Sequence, residues 1–504
     1  MTRGLLPLMV VCALASSCTD FDGLSKDYLA DLGDADLRDL AVAVDGPMSG
    51  DFSLAGDMQP NCNDGLVGGG ESDVDCGGGC APCELSRACV SDLDCQTGFC
   101  DSGRCELVSG PPSWLPVGTA PTGNQPPIAR YDLQVERGPD GNIYAMGGRD
   151  GAGNFLQTVE RLDESLTWTQ TANLSRQRSR FGATATPNNI WLVDGLRDAS
   201  GSFENSVDRT SKGSVPSWNL ASGGVAQNLA SAAAVAITDG ATTDTVFVFG
   251  GDDGTGTVKA GHSFVAGGNT LTAISDMSTP RASLGAALGP DNRIYAMGGM
   301  NNGVALATAE AYVTAANTWS NITPLPAPRA SAPAVVAPDG RIYCVGGANA
   351  QSGAVYSSVV AYRAPTATQA ERWATVAALA SPRWRHGAAV GIDGRIYIVG
   401  GSDLAGLPRV VEAYGPIVAL SASTVALNAT VQVSGSNFAR NTSVVFSLDS
   451  AAAAPIGTGT TDGLGVLAAT TVKIPAGAAT GTTRLYATDA RSRYPVSVKL
   501  QITN

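Results

Sequence analysis

The run Pro338-Asp339-Gly340-Arg341-Ile342-Tyr343-Cys344-Val345-Gly346-Gly347 spells out one unit of structure. Asp-Gly between two apolar stretches marks a tight hairpin turn. Ile-Tyr-Cys-Val is a short strand with apolar side chains on both faces, and the glycine pair ends it with backbone freedom that other residues lack. The strand and its closing pair recur six times, at 143–148, 190–195, 246–251, 294–299, 342–347 and 396–401. The closing glycines Gly148, Gly195, Gly251, Gly299, Gly347 and Gly401 stand 47, 56, 48, 48 and 54 residues apart. Turn signals precede several copies: Pro139-Asp140-Gly141, Pro290-Asp291-Asn292 and Asp393-Gly394. A later strand with Tyr and then Trp follows in the better copies, at Tyr312/Trp319 and Tyr362/Trp373. Repetition at such a period predicts stacked supersecondary units with a shared core.

Strand, Asp-Gly turn, strand ending in Gly-Gly, then Tyr and Trp resembles the kelch repeat. That resemblance covers roughly residues 113–415 and implies a six-bladed β-propeller with four strands per blade. The second copy departs from it, with Asp194-Gly195 for the glycine pair, and the third lacks the later Trp. The sixth repeat ends at Val411-Glu412-Ala413-Tyr414 without a Trp strand, whereas an orphan one, Ser113-Trp114-Leu115-Pro116-Val117, precedes the first. The orphan is expected to complete blade six and remove the open sheet edges.

Composition agrees with an all-β chain. Of 504 residues, 61 are Gly and 27 Pro, and only 15% are charged. The net charge of −13 excludes a nucleic-acid surface as the leading reading. It belongs to one end: residues 1–105 hold 18 acids and 5 bases, leaving 27 of each beyond.

That end reads as an address followed by a tether. Arg3 precedes an apolar run from Leu5 to Ala15, too short to span a bilayer but suited to a secretory signal over 1–17. Leu14-Ala15-Ser16-Ser17-Cys18 resembles the lipobox of bacterial lipoproteins, although Ala15 stands where that family usually has Leu. The resemblance implies lipidation at Cys18, and Thr19 after it implies the outer membrane or cell surface. With ordinary cleavage instead, the protein is secreted or periplasmic. Residues 19–61 hold ten Asp, one Lys and one Arg without periodicity, so 18–61 is expected to be an acidic, disordered tether.

Eight cysteines then fall within 62–105: Cys62, Cys76, Cys80, Cys83, Cys89, Cys95, Cys100 and Cys105. So dense a set behind a secretory signal predicts a small disulfide-rich module of open connectivity, with zinc as the competing reading at Cys80-Ala81-Pro82-Cys83. The stretch from Glu71 to Cys80 resembles Cys-rich modules beside surface domains of myxobacterial proteins. Asp64, Glu71, Asp73 and Asp75 are a candidate calcium set, against solvated acidic loops as the alternative. No other cofactor is expected. Cys344, inside an inner strand, is expected to be an inert buried thiol.

Residues 417–504 alternate Val, Thr and Ser, as in Val431-Gln432-Val433 and Val496-Ser497-Val498. They resemble an Ig-like sandwich of the IPT/TIG type, a spacer or adhesive module.

In a four-stranded blade, the segment before strand one and the loop after Gly-Gly meet on one face. The candidate ligand residues there are Arg149, Asp150, Arg180, Asp252, Asp253, Arg281, Asn301, Asn302, Arg329, Arg383, Arg385 and His386. Arginines beside Asp and Asn suit bidentate binding of carboxylates or sugar hydroxyls. Against that, a Pro-Arg before strand one also reads as a repeat feature bonding neighbouring blades. No P-loop, GxSxG, HExxH or sialidase Asp-box is present, and the chain has two histidines. The domain order is similar to galactose oxidase, whose copper site draws a histidine from the C-terminal domain; 417–504 contains none. The expectation is a monomeric, non-enzymatic lipoprotein binding a surface protein or polysaccharide, touching the membrane through its anchor only. The alternative is a carbohydrate-active kelch enzyme similar to sialic-acid mutarotases.

Overall fold

The computed structural model describes 112–117 and 129–504, apart from 211–217, 221–226, 240–242, 269, 367–369, 404–405 and 407–410. It also describes positions 74, 83, 87–89, 95, 100–101 and 104–105. The expected signal sequence, Cys18, the expected acidic tether, the candidate calcium carboxylates, and Cys62, Cys76 and Cys80 lie outside these residues. No helix occurs among the described residues, so none is long and apolar enough to cross a membrane.

Six four-stranded antiparallel sheets account for residues 114–414. Their first strands are Gln134–Arg137, Gly182–Ala185, Ala233–Asp239, Gly285–Leu288, Ala334–Val336 and Gly387–Val390. Each first strand packs against the next in cyclic order, and the sixth packs against the first. The ring is therefore a closed β-propeller. The strand after each Asp-Gly turn is buried on both faces, as in Ile143–Met146, Ile342–Val345 and Ile396–Val399. A sheet with a neighbour on either side has no solvent face, so its strands read as continuous apolar runs.

Closure follows the sequence expectation. Trp114–Val117 pairs antiparallel with Val411–Tyr414 as the fourth strand of the sixth sheet. Its Trp behaves like the outer-strand tryptophans of blades four and five, donating across the seam to the preceding blade. Trp319 Nε1 reaches the Ser275 carbonyl, Trp373 Nε1 that of Thr323, and Trp114 Nε1 that of Ala377, each at 2.9 Å.

The C-terminal residues form a two-sheet β-sandwich. A three-stranded sheet (Ile417–Leu420, Thr430–Ser436, Leu467–Lys473) faces a five-stranded one, and Val433, Phe446, Val472 and Leu485 lie in the core between them. That core continues into blades five and six, where Tyr494 packs against Tyr343 and Tyr414 and donates to the Gly394 carbonyl at 2.9 Å. Asn437 bonds Ser113 through its backbone N–H, hydroxyl and carbonyl, and also bonds the Gly415 carbonyl.

Within the Cys-rich segment, Cys95 and Cys105 are joined by a disulfide, and Cys83 and Cys89 are also disulfide-bonded. Cys89, Cys95 and Cys105 lie close enough to suggest a metal site, but thiolates committed to disulfides are not zinc ligands. Cys344 is a buried free thiol, pushed up to about 12 by desolvation, which makes it unreactive.

Candidate functional site

The segment before each first strand and the loop after each Gly-Gly do meet on one face. Single antiparallel bridges join them in every blade: Tyr131 to Arg149, Ser179 to Leu196, Ala230 to Asp252, Ala282 to Met300, Ala330 to Ala348, and Trp384 to Ser402. The residues expected there divide into three groups.

The first group is not on the surface. Arg281, Arg329 and Arg383 are at most 2% exposed, as are their equivalents Arg130 and Arg178. Each guanidinium turns into its own blade. Arg281 donates to the carbonyls of Gly298 (2.9 Å) and Thr308 (2.8 Å) and pairs with Glu310 at 2.6 Å. Arg130 repeats this with Gly147, Thr158 and Glu160. The Arg main-chain carbonyl meanwhile accepts from the second closing glycine of the preceding blade: Gly148 to Arg178, Gly251 to Arg281, Gly299 to Arg329, Gly347 to Arg383, and Gly401 to Arg130. These arginines are bolts between blades, and the repeat-feature reading of Pro-Arg is the one the structure supports. Blade five omits the acid, with Val360 paired opposite Cys344 where blade four pairs Glu310 with Ala296. Blade three omits the arginine, with Leu229 accepting from Gly195. His386 is also displaced from the face: it is 5% exposed between blades five and six, and burial drives its ring well below the usual histidine range.

The second group shapes loops. Asp150 caps its own turn through the amides of Ala152 and Asn154. Asp252 accepts from Gly254, and Asp253 from Thr255 and Gly256. Asn301 and Asn302 accept from Thr257 of the neighbouring blade. Arg149 lies over the Phe155 ring at 4.2 Å.

The third group is a site. Two residues after each bolt position stand Asp132, Arg180, Ser231, Ser283, Ser331 and Arg385, one per blade. All six have left-handed backbone, φ between 51° and 59°. Their amides and carbonyls form a closed circuit: Asp132 N–H to Arg385 O, Arg180 to Asp132, Ser231 to Arg180, Ser283 to Ser231, Ser331 to Ser283, and Arg385 to Ser331, at 2.6–3.2 Å. Left-handed backbone in non-glycine residues costs of order 1 kcal/mol each and clusters at functional sites.

This circuit rims the mouth of the central channel, a cavity of about 140 Å³. Its side chains are asymmetric. Asp132 sits between two arginines, 3.2 Å from Arg180 Nε and 2.8 Å from Arg385 Nε. Each arginine approaches Asp132 closest through Nε, and among the described residues neither Nη fork donates a hydrogen bond. Across the mouth, the hydroxyls of Ser231, Ser283 and Ser331 likewise bond no group among the described residues. Arg385 is held between the Tyr131 and Trp384 rings at 4.9 and 4.8 Å. The mouth carries two guanidiniums against one carboxylate and therefore favours an anion. Deeper in the channel, Glu136 has no hydrogen-bond partner among the described residues, and desolvation raises its carboxyl to about 8 despite nearby Arg137.

A family description of the kelch motif matches residues 139–175 and 281–326, falling on blades one and four. Two of the six blades thus match the kelch motif. The other four blades keep the same strand order, and blade two departs in a marker residue, with Asp194 for glycine. No curated protein matches the chain.

Sequence reasoning named Arg180 and Arg385 but missed Asp132, Ser231, Ser283, Ser331 and Glu136. The signal was available in the spacing alone: every rim residue follows a bolt position by two.

Proposed function

We propose that the chain is a non-enzymatic binding protein whose kelch propeller takes a surface protein or polysaccharide at the channel mouth. The observation that carries this reading is the pair of guanidiniums at the mouth, Arg180 and Arg385, whose Nη groups donate to no described residue while every bolt arginine is buried. Kelch repeats support a protein-binding propeller, and the net positive rim adds an anionic group on the ligand. The apolar run before Cys18 supports lipid anchoring at the outer membrane or cell surface, and the C-terminal sandwich supports an Ig-like accessory role. Screening the full chain against a glycan array and a cell-surface extract tests the reading. Binding lost in Arg180→Ala/Arg385→Ala places recognition at the mouth; binding indifferent to that pair refutes it.

One observation favours a second reading, a carbohydrate-active enzyme. Glu136 is a carboxylic acid poised near neutral pH inside the channel, as a general acid or base must be. Turnover of a bound sugar that is abolished by Glu136→Gln would select it.

A further inference from the structure

Resting on the mouth as the binding site, we propose that the group it receives is the carboxylate of a uronate residue within an acidic polysaccharide, with Asp132 the residue that positions both guanidiniums. Each Arg fork matches the two oxygens of a planar carboxylate. Asp132 occupies both Nε atoms, so it fixes where the forks point while leaving them free. It does not touch the ligand and is a positioning residue.

The rest of the rim speaks for a sugar rather than an acidic peptide. In ring order Arg180 stands across from Ser331, Arg385 across from Ser231, and Asp132 across from Ser283. A carboxylate held on the arginine side thus brings whatever else the ligand carries to three unpaired hydroxyls. A uronate presents its ring hydroxyls there, and each hydroxyl pair can donate and accept.

The test is calorimetric titration of the full chain with trigalacturonate, with uncharged galactose trimer, with inorganic sulfate and with an acidic peptide. Trigalacturonate should bind, and the neutral trimer at least tenfold more weakly. Arg180→Lys and Arg385→Lys keep the charge but lose the fork, and each should weaken trigalacturonate tenfold or more. Asp132→Asn should weaken it and also narrow the preference for trigalacturonate over sulfate, because unfixed forks lose their match to a planar group; a purely structural role would leave that ratio unchanged. Should Asp132→Asn fail to fold, the two lysine variants still decide the ligand class. Equal binding of the neutral trimer, or trigalacturonate binding that survives both lysine variants, overturns the assignment. Mouth-dependent binding of the peptide without trigalacturonate also overturns it while leaving the mouth as the binding site. The broader reading fails only when no ligand of any class depends on Arg180 and Arg385.

Discussion

Glu310 is the strongest place to test whether the buried arginines are bolts. Arg281 and Glu310 are 0% and 1% exposed in their side chains and meet at 2.6 Å. The carboxylate also accepts the amides of Ser278 at 2.7 Å and Thr279 at 3.3 Å, tying the loop before the bolt to the third strand of its blade. Burial lowers the Arg281 affinity for its proton and Glu310 offsets this, so the two charges are interdependent. Glu310→Ala leaves a buried guanidinium without a counter-ion, which costs about 3–5 kcal/mol. Glu310→Gln keeps an acceptor for the guanidinium and should cost less. Glu160, with 12% of its side chain exposed, has partial help from water, so Glu160→Ala should fall below Glu310→Ala. Equilibrium denaturation in guanidinium chloride, followed by tryptophan fluorescence, ranks the three by midpoint at constant slope. A Glu310→Ala penalty under about 1 kcal/mol would refute the reasoning. Blade five would then be the rule, since Arg329 already lives beside Val360 with only Gly346 and Ser358 as acceptors.

Two further outcomes follow from the same packing. Deleting 113–117 removes the fourth strand of blade six and the partners of Asn437, so the thermal midpoint should drop by several degrees; an unchanged midpoint would mean the ring closes otherwise. Asp194→Gly should stabilise by about 1–2 kcal/mol, because Asp194 holds φ at 58° where other blades have glycine and both its buried oxygens lack partners. Desolvation raises the Asp194 carboxyl well above its usual range, with Arg178 opposing, so the folded state holds its proton more tightly than the unfolded chain does. Its contribution is present at acid pH and is lost as pH rises from about 4 toward the folded pKa. The glycine variant should therefore gain most at neutral pH, and a gain that is flat with pH would count against the buried acid.

The propeller and its closing strand were legible because both are written in periodic features. Asp-Gly turns, apolar tetrads and glycine pairs recur at blade spacing, and a missing Trp at one end matched a spare at the other. The sequence leaves the arginines between two readings, because composition says nothing of side-chain direction. Arg178 and Arg180 differ by two positions, yet one is sealed against Asp208 and the other opens on the channel. Serines carried no chemical flag at all; Ser231, Ser283 and Ser331 gain meaning only when the backbone circuit brings them to one rim. Glu136 looked like any strand acid until the fold placed it in the lining of the channel.

The clasp of Asn437 on Ser113 joins positions 324 residues apart. During synthesis the first strand of the ring to leave the ribosome is the last to find its place. It must stay unpaired until the sixth blade is complete, and it is pinned only when the sandwich follows. Contacts of such long separation form slowly. Until then Val411–Tyr414 presents an open, apolar sheet edge. A chain cut anywhere before Asn437 is thus an unlatched ring, so assembly of this propeller is proofread by its own C-terminal end.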